Sequence, residues 1–410
     1  MEIMSPVGSW ETLHAAIQGG ADSVYLGIGH LNMRSRSSMN FQLSDVSKIV
    51  RICRESGVRV YITVNTVIYN EELLELEKLV GELWRAGVDA IIASDFAVIE
   101  ICRRFGVPVH ASTQLNISNI ASVRFFSQFC DVMVLARELN LKQVSEITAA
   151  IMEQNICGPS GDHVKIELFA HGALCMAVSG KCYLSLDHFN MSANRGACIQ
   201  VCRRGYRVED IDKQVELEID NEYIMSPKDL KTLDFLDVIC QAGVSVLKIE
   251  GRARSAEYVK TVTSVYKEAV ASIDEGSFSE ERKMVWNGRL YEVFNRGFWD
   301  GYYLGRKMGE WAEIGGSRAT KTREYIGKVT NYFSKLNVME VLMESGELYI
   351  GDEILITGST TGVIELIINE IRVNLESVEC SVKGDLCSVP VHELVRRNDK
   401  IYKLVPSKIL

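Results

Sequence analysis

From the first residue the chain repeats one pattern: a short apolar run, a polar break, then an amphipathic stretch with apolar positions three and four apart. The runs are Ile3-Met4-Ser5, Ser23 to Gly27, Val58 to Thr63, Asp89 to Ala93, Val107 to Ala111, Asp131 to Leu135, Val164 to Phe169 and Val244 to Ile249. Each is short, rich in β-branched residues and closely bounded, as strands buried on both faces are. Between them Ser9 to Gln18, Leu43 to Arg54, Glu71 to Arg85, Pro227 to Gln241 and Ala256 to Ile273 carry the helical period. Gly57, Gly87, Gly106 and Gly243 stand just before the next strand, where helix C-termini favour a left-handed residue. Eight strand–helix units predict a closed (β/α)8 barrel of the TIM type over residues 1–275. An open doubly wound sheet fits less well, because no glycine-rich dinucleotide fingerprint follows the first strand.

The spacing breaks once. Strands seven and eight are separated by residues 170–243, far more than the other steps. Long ordered loops inside a compact domain are usually functional, and this one leaves the strand end where barrels place their active sites. After residue 275 the pattern changes. Residues 276–320 hold Trp286, Trp299 and Trp311 and predict an aromatic-rich connecting segment. Residues 321–410 break into short β runs with turns at Gly346, Gly351 and Gly384, predicting a small all-β barrel domain.

Composition narrows the class without naming a chemistry. The 410 residues are 47% hydrophobic and 24% charged, an ordinary globular balance. No apolar run reaches a membrane span and no secretion signal opens the chain, so a cytoplasmic protein without a membrane partner is expected. Eleven cysteines then argue for thiols rather than disulfides. A net charge of −9 argues against indiscriminate nucleic-acid binding but leaves room for a local basic patch.

Four of those cysteines fall in the long insertion, at 175, 182, 198 and 202, with spacing C-x6-C-x15-C-x3-C and glycines at 172, 180 and 196. Four convergent thiolates suit a structural zinc or an iron–sulfur cluster. The spacing is wider than zinc-ribbon knuckles, which shifts weight toward a cluster. Four buried, unpaired thiols are the bland alternative. Around them, polar residues at the predicted C-terminal strand ends would ring a pocket: Arg34, Arg36, Asn65, His110, Gln114, Arg137, Glu167, His171, Lys248, Glu250 and Arg252. Arginines there suit a dicarboxylate through bidentate pairing. Lys181, Arg195, Arg203, Arg204 and Arg207 make the insertion locally basic, as phosphate contacts require. Neither a G-x-S-x-G elbow nor an H-E-x-x-H helix occurs, though a Cys175–His171 pair stays open as a nucleophile and base.

The run ELFAHGALC ending at Cys175, SGKCYLS around Cys182, NRGACIQVCRR through Cys198 and Cys202, KIEGR at 248–252 and NRGFWDGYYLG at 295–305 together resemble the U32 collagenase-like peptidase family. The likeness extends over nearly the whole chain. Some members of that family carry a peptidase name; others hydroxylate RNA bases or the ubiquinone ring without molecular oxygen, using a cysteine-bound 4Fe–4S cluster. The resemblance implies Cys175, Cys182, Cys198 and Cys202 as cluster ligands, with Glu167, His171, Glu250 and Arg252 as catalytic residues. The strand-end positions put Arg34, Arg36, His110, Arg137 and Lys248 against substrate, and the locally basic loop puts Arg195, Arg203 and Arg204 against RNA. Chain length favours the tRNA-type members. The expectation is therefore an oxygen-independent hydroxylase of the tRNA wobble uridine, with prephenate as hydroxyl source and tRNA as partner. A homologous protein partner, a U32-type peptidase, and a hydroxylase of an rRNA base or quinone ring are the alternatives carried forward.

Overall fold

A computed structural model describes residues 1–36, 41–207, 222–306 and 309–408. The first part is built from β1 (Glu2–Pro6), β2 (Ser23–Gly27), β3 (Arg59–Val64), β4 (Ala90–Ala93), β5 (Val109–Ala111), β6 (Val132–Val134), β7 (Lys165–Ala173), β8 (Asp229–Lys231) and β9 (Val246–Ile249). Strands β1 to β7 pair in sequence order, all parallel, and β9 joins β7 to β1, so eight parallel strands close a barrel. Its outer layer includes α1 (Trp10–Gln18), α2 (Val46–Glu55), α3 (Leu73–Ala86), α4 (Phe96–Phe105), α5 (Ile120–Phe126) and α6 (Leu141–Glu153). The cysteine insertion carries α7 (Leu184–Phe189), and α8 (Leu236–Gln241) and α9 (Ala256–Asp274) flank β9. The helix starts follow local rules. Ser9 caps α1 and exchanges hydrogen bonds with Thr12, while Asn140 and Gln143 form the reciprocal box at α6.

Alternation along the strands sorts the barrel into two cores. Met4, Tyr25, Tyr61, Ala90, Ile92, Val132 and Val246 pack inside it. The intervening positions, such as Ile3, Val24, Leu26, Val60 and Ile62, pack outward under the helices. All eight expected strands are present. The helix expected over Pro227 to Gln241 is shorter, because residues 229–231 form β8 instead. That strand pairs antiparallel with the end of β7 that overruns the barrel, from His171 to Ala173. Tertiary pairing here overrides a weak helical pattern.

The connecting segment is itself folded. It holds α10 (Glu280–Glu292) and β10 (Phe298–Trp299), which pairs parallel with β8 and buries Trp299. The remainder is all β: β11 (Lys321–Phe333), β12 (Val338–Met343), β13 (Glu347–Tyr349), β14 (Glu353–Gly358), β15 (Gly362–Ile367), β16 (Ile371–Val373), β17 (Glu376–Val378), β18 (Cys380–Val382), β19 (Leu386–Pro390) and β20 (Lys400–Pro406). Eight of these form one antiparallel sheet in the order β15-β14-β20-β11-β12-β19-β16-β17, and β13 pairs with β18. Their shared core includes Ile326, Val341, Ile354, Ile364 and Ile401.

This β region is not a free appendage. Leu355 and Val363 are buried within the barrel's own hydrophobic cluster, and Tyr402 and Leu404 pack against it. Gln18 at the end of α1 donates to the Thr361 carbonyl at 2.9 Å and accepts from the Val363 amide at 2.9 Å. Lys260 of α9 reaches the Val363 carbonyl, and Arg323 reaches Glu257 at 3.0 Å. Deleting a buried leucine costs about 2–5 kcal/mol. Leu355→Ala is therefore expected to uncouple the two parts. All five tryptophans lie at or before residue 311, so their fluorescence reports the barrel and connecting segment alone. In a denaturant titration, tryptophan emission and far-ultraviolet circular dichroism should coincide for the wild type and separate for Leu355→Ala.

Candidate active site

The barrel mouth holds a cavity of about 180 Å³. Its floor comes from strand ends: Tyr25, Arg34, Thr63, Asn65, Arg137, Phe169, Lys248, Glu250 and Arg252. Its roof comes from the insertion, including all four clustered cysteines, Cys175, Cys182, Cys198 and Cys202. Closing a sheet into a barrel thus turns residues scattered over 230 positions into one site.

The roof is tied down at several points. Asn194 donates to the Gly180 carbonyl at 2.6 Å, the Ile199 amide donates to Ser185 at 3.0 Å, and Asn116 donates to the Ser179 carbonyl at 3.1 Å. Gly196 has φ +79°, and a Cβ there would lie 2.0 Å from Ser35 Oγ, so only glycine lets the loop rest on the segment after β2. Cys175 is exposed and the other three are partly buried. Burial raises Cys202 to about 11, with the other three thiols adding to the effect and Arg203 opposing it. Burial also raises Cys182, and there too Cys175 and Cys198 contribute. Among the described residues no three His, Cys, Asp or Glu side chains are arranged to hold a single metal ion. Four thiols around an open cavity fit a larger, multi-iron group better than one tetrahedral zinc.

The floor is organised around Glu250. Arg34 Nη2 donates to its Oε1 at 3.1 Å, and the Tyr25 hydroxyl lies 3.0 Å from its Oε2. Burial alone would push this carboxyl up. Arg34, Arg252 and Arg137, with the Tyr25 hydrogen bond, outweigh burial and hold it at about 2. Arg252 donates to Asn32 Oδ1 at 3.2 Å and Thr63 Oγ1 at 2.9 Å, neutral acceptors that orient it without cancelling its charge. Burial lowers it to about 10. Arg137 stacks on Phe169 at 4.2 Å, and its buried Nε lacks a hydrogen-bond partner. One layer deeper, Lys248 Nζ donates to Glu167 Oε1 at 2.8 Å.

Of the expected pocket residues, Arg34, Asn65, Gln114, Arg137, Lys248, Glu250 and Arg252 line the cavity. Glu167 and His110 sit just beneath it, inside the barrel, Glu167 reaching the cavity only through Lys248. Two others are elsewhere. Arg36 faces a separate surface cleft shared with Tyr69, Phe189 and Arg195. His171 is turned away by a bulge in β7: Phe169 pairs with Lys248, but His171, not Ala170, pairs with Ile249. The extra residue flips every later side chain to the other face. His171 therefore packs among Tyr258, Tyr266 and Phe298, with Nδ1 3.4 Å from the Tyr266 hydroxyl. Burial lowers it to about 3, with Lys231 and Arg254 adding to the shift.

The expected RNA-binding arginines divide too. Arg203 is largely buried and holds the loop together, donating to the Leu174 carbonyl, Ser226 Oγ and the Pro227 carbonyl. Arg195 grips Glu72 with two nitrogens and stacks on Tyr69 at 4.2 Å. Arg204 remains exposed, over the ring of Phe189. Sequence reasoning missed Tyr25, Asn32, Thr63 and Phe169. The period-2 alternation Ser23, Tyr25, Gly27 was the signal that could have placed Tyr25 inward.

The family model for peptidase family U32 matches residues 8–313. The chain belongs to that family. It is 57% identical to a collagenase of Porphyromonas gingivalis over 98% of this chain and 97% of that one. It is 33% identical to tRNA hydroxylation protein P1 of Bacillus subtilis over 86% of this chain and 82% of that one. A 23S rRNA 5-hydroxycytidine synthase of Escherichia coli is 35% identical over 67% of this chain but only 40% of its own length. The relatives place the U32 chain among enzymes with two kinds of name, peptidase and RNA hydroxylation. Among the described residues no helix is long and apolar enough to cross a membrane.

The electrostatics of the floor make two expectations. Glu250 is held below its ordinary value of 4.5, so its stabilising contribution is complete above pH 4.5 and lost as pH falls toward 2. With 15% of the side chain exposed, that contribution is at most about 3 kcal/mol. Glu250→Gln should flatten the acid-unfolding profile over that window. The buried pair behaves differently. Glu167→Ala alone strands the Lys248 charge and should cost about 3–5 kcal/mol, whereas Glu167→Leu with Lys248→Met should recover most of it in thermal unfolding.

Proposed function

We propose that this U32 protein is an oxygen-independent hydroxylase of an RNA base, with the wobble uridine of tRNA as substrate and C5 as the hydroxylated position. The observation that carries the reading is the meeting of four thiols and a cationic floor on one cavity. Cys175, Cys182, Cys198 and Cys202 would hold a 4Fe–4S cluster, which supplies one-electron chemistry when bound. The chain's own residues do the rest. Arg137 and Arg252, with Arg34, outnumber the Glu250 carboxylate they share, leaving positive charge suited to an anionic hydroxyl donor such as prephenate. Phe169 and Tyr25 supply aromatic surface beside them. The roof shields the floor from bulk water, which strengthens each charged contact.

Relatives named for tRNA and rRNA hydroxylation support an RNA substrate. So does the rim of the loop. Tyr183 is 73% exposed and Phe189 42%, with Lys181 and Arg204 exposed nearby. Splayed bases stack on such rings while cations meet the phosphates. The collagenase name of the 57% identical relative favours a peptidase instead. The site gives that reading little to work with. Among the described residues lining the cavity there is no histidine, and His171 is spent on Tyr266.

Anaerobically purified protein should contain iron and acid-labile sulfide, and replacing any of the four cysteines by alanine should remove both. Nucleoside mass spectrometry of tRNA from a deletion strain should show loss of a hydroxylated uridine that the intact gene restores. Unchanged tRNA, with collagen cleavage by the purified protein, would put the peptidase reading first. On the rim, Arg204→Glu should weaken tRNA binding and reduce its salt dependence by about one counterion. Arg203→Glu should instead disturb the loop, visible as loss of iron.

A further inference from the structure

Inside the barrel, one layer beneath the cavity floor, two buried polar atoms face each other without partners. Glu167 Oε2 and His110 Nδ1 are 4.0 Å apart, and neither makes a hydrogen bond. Burying such atoms unpaired costs about 1–3 kcal/mol each, and one proton between them would relieve both after a closure of about 1 Å. The other oxygen of Glu167 accepts from Lys248, and Lys248 lines the cavity. Three titratable groups on β9, β7 and β5 thus form a line running inward from the reaction space. A structural ion pair needs only Lys248 and Glu167. The histidine turned toward the carboxylate's free oxygen is the unexplained member.

We propose that Lys248, Glu167 and His110 form a proton relay that serves the cavity. Lys248 passes an ammonium proton to the Glu167 carboxylate, and the amine so freed takes the proton from the reacting carbon. One proton thus moves from substrate to the Glu167 carboxyl, where His110 Nδ1 accepts a hydrogen bond from it, and it leaves by the reverse path through Lys248 to the cavity. The C–H bonding pair stays on the substrate and restores its ring double bond, so the relay itself transfers no electrons. The identity of the proton's source rests on the hydroxylation reading above; the relay itself does not.

The surroundings suit transient carriage. Burial raises Glu167, with Lys248 opposing and Glu2 of β1 reinforcing the rise. Burial lowers His110 to about 3, aided by Lys248, Arg59 of β3 and Lys165 of β7. His110 Nδ1 therefore stays unprotonated and serves as an acceptor for the Glu167 carboxyl proton. Tyr61 packs on the His110 ring at 4.4 Å, and Tyr25 lies under the Lys248 ammonium at 4.6 Å, fixing both groups.

The test has two arms. In the first, pH-jump infrared difference spectra of the full-length protein should show the C=O stretch of a buried protonated carboxyl. That band should vanish in Glu167→Gln and shift in His110→Asn. Its absence from the wild type, or its indifference to both changes, overturns the relay whatever the protein's substrate proves to be. In the second arm, Lys248→Arg keeps the charge but cannot give up a proton to become a base. It should slow modification by about 10²–10⁴-fold at unchanged iron content and RNA affinity. Lys248→Ala should regain activity with added ethylamine. Lys248→Arg acting at near wild-type rate would reduce the lysine to a structural ion-pair partner and overturn the proposal. Should the wild type hydroxylate no RNA, the hydroxylation reading falls and the infrared arm alone decides the relay.

Discussion

One extra residue in β7 decides what the barrel mouth contains. Up to Phe169 the strand alternates regularly, placing Glu167 and Phe169 inward. The bulge at Ala170 then reverses the alternation and sends His171 out toward α9. The freed carbonyl of Ala170 is not stranded: Tyr266 and Thr232 both donate to it at 2.9 Å. Beyond the bulge the strand runs past the barrel rim, where β8 pairs with it and β10 in turn pairs with β8. Gly172 allows this overrun. Its φ is +104°, and a Cβ there would sit 2.3 Å from the Glu250 carbonyl. The cysteine loop thus leaves β7 already aimed across the mouth, and the same geometry turns His171 away from it.

Electrostatics inside the mouth follow from which charges are cancelled. Arg34 is committed to Glu250, and Lys248 to Glu167. Arg252 hydrogen-bonds to neutral oxygens and Arg137 stacks on an aromatic face, while both share Glu250's field with Arg34. The excess is positive, in a protein whose net charge is −9. A sequence-wide charge says little about a site assembled from strand ends. What a cavity attracts is set by the few charges left over after local pairing, and here those favour an anion.

Much of the fold was legible because it rests on period and spacing. Strand existence, order and the long gap after β7 followed from short apolar runs alternating with helical ones. The convergence of Cys175, Cys182, Cys198 and Cys202 was legible from density, and the floor residues from their places at strand ends. What escaped reading depended on a single residue's register or on a distant partner. Nothing local marks Ala170 as a bulge, so His171 looked like a pocket residue. Residues 229–231 become a strand only because β7 overruns to meet them. Arg203 and Arg195 read as surface charges, but the carbonyls and the Glu72 that claim them lie far off in sequence. A basic loop is a statement of composition; which of its cations face solvent is a statement of packing.

The same barrel carries peptidase and hydroxylase names among its relatives, so the fold cannot choose between them. The choice falls to the cavity. A thiol protease needs one activated sulfur and a base within hydrogen-bond reach. Here burial raises Cys182 and Cys202, and the lining has no histidine among the described residues. Beneath the thiols lies a floor with arginines in excess of the carboxylate they share and a lysine backed by a buried acid. On the reading proposed above, these features would serve a site in which a thiolate-bound cofactor stands above an anion and a planar substrate.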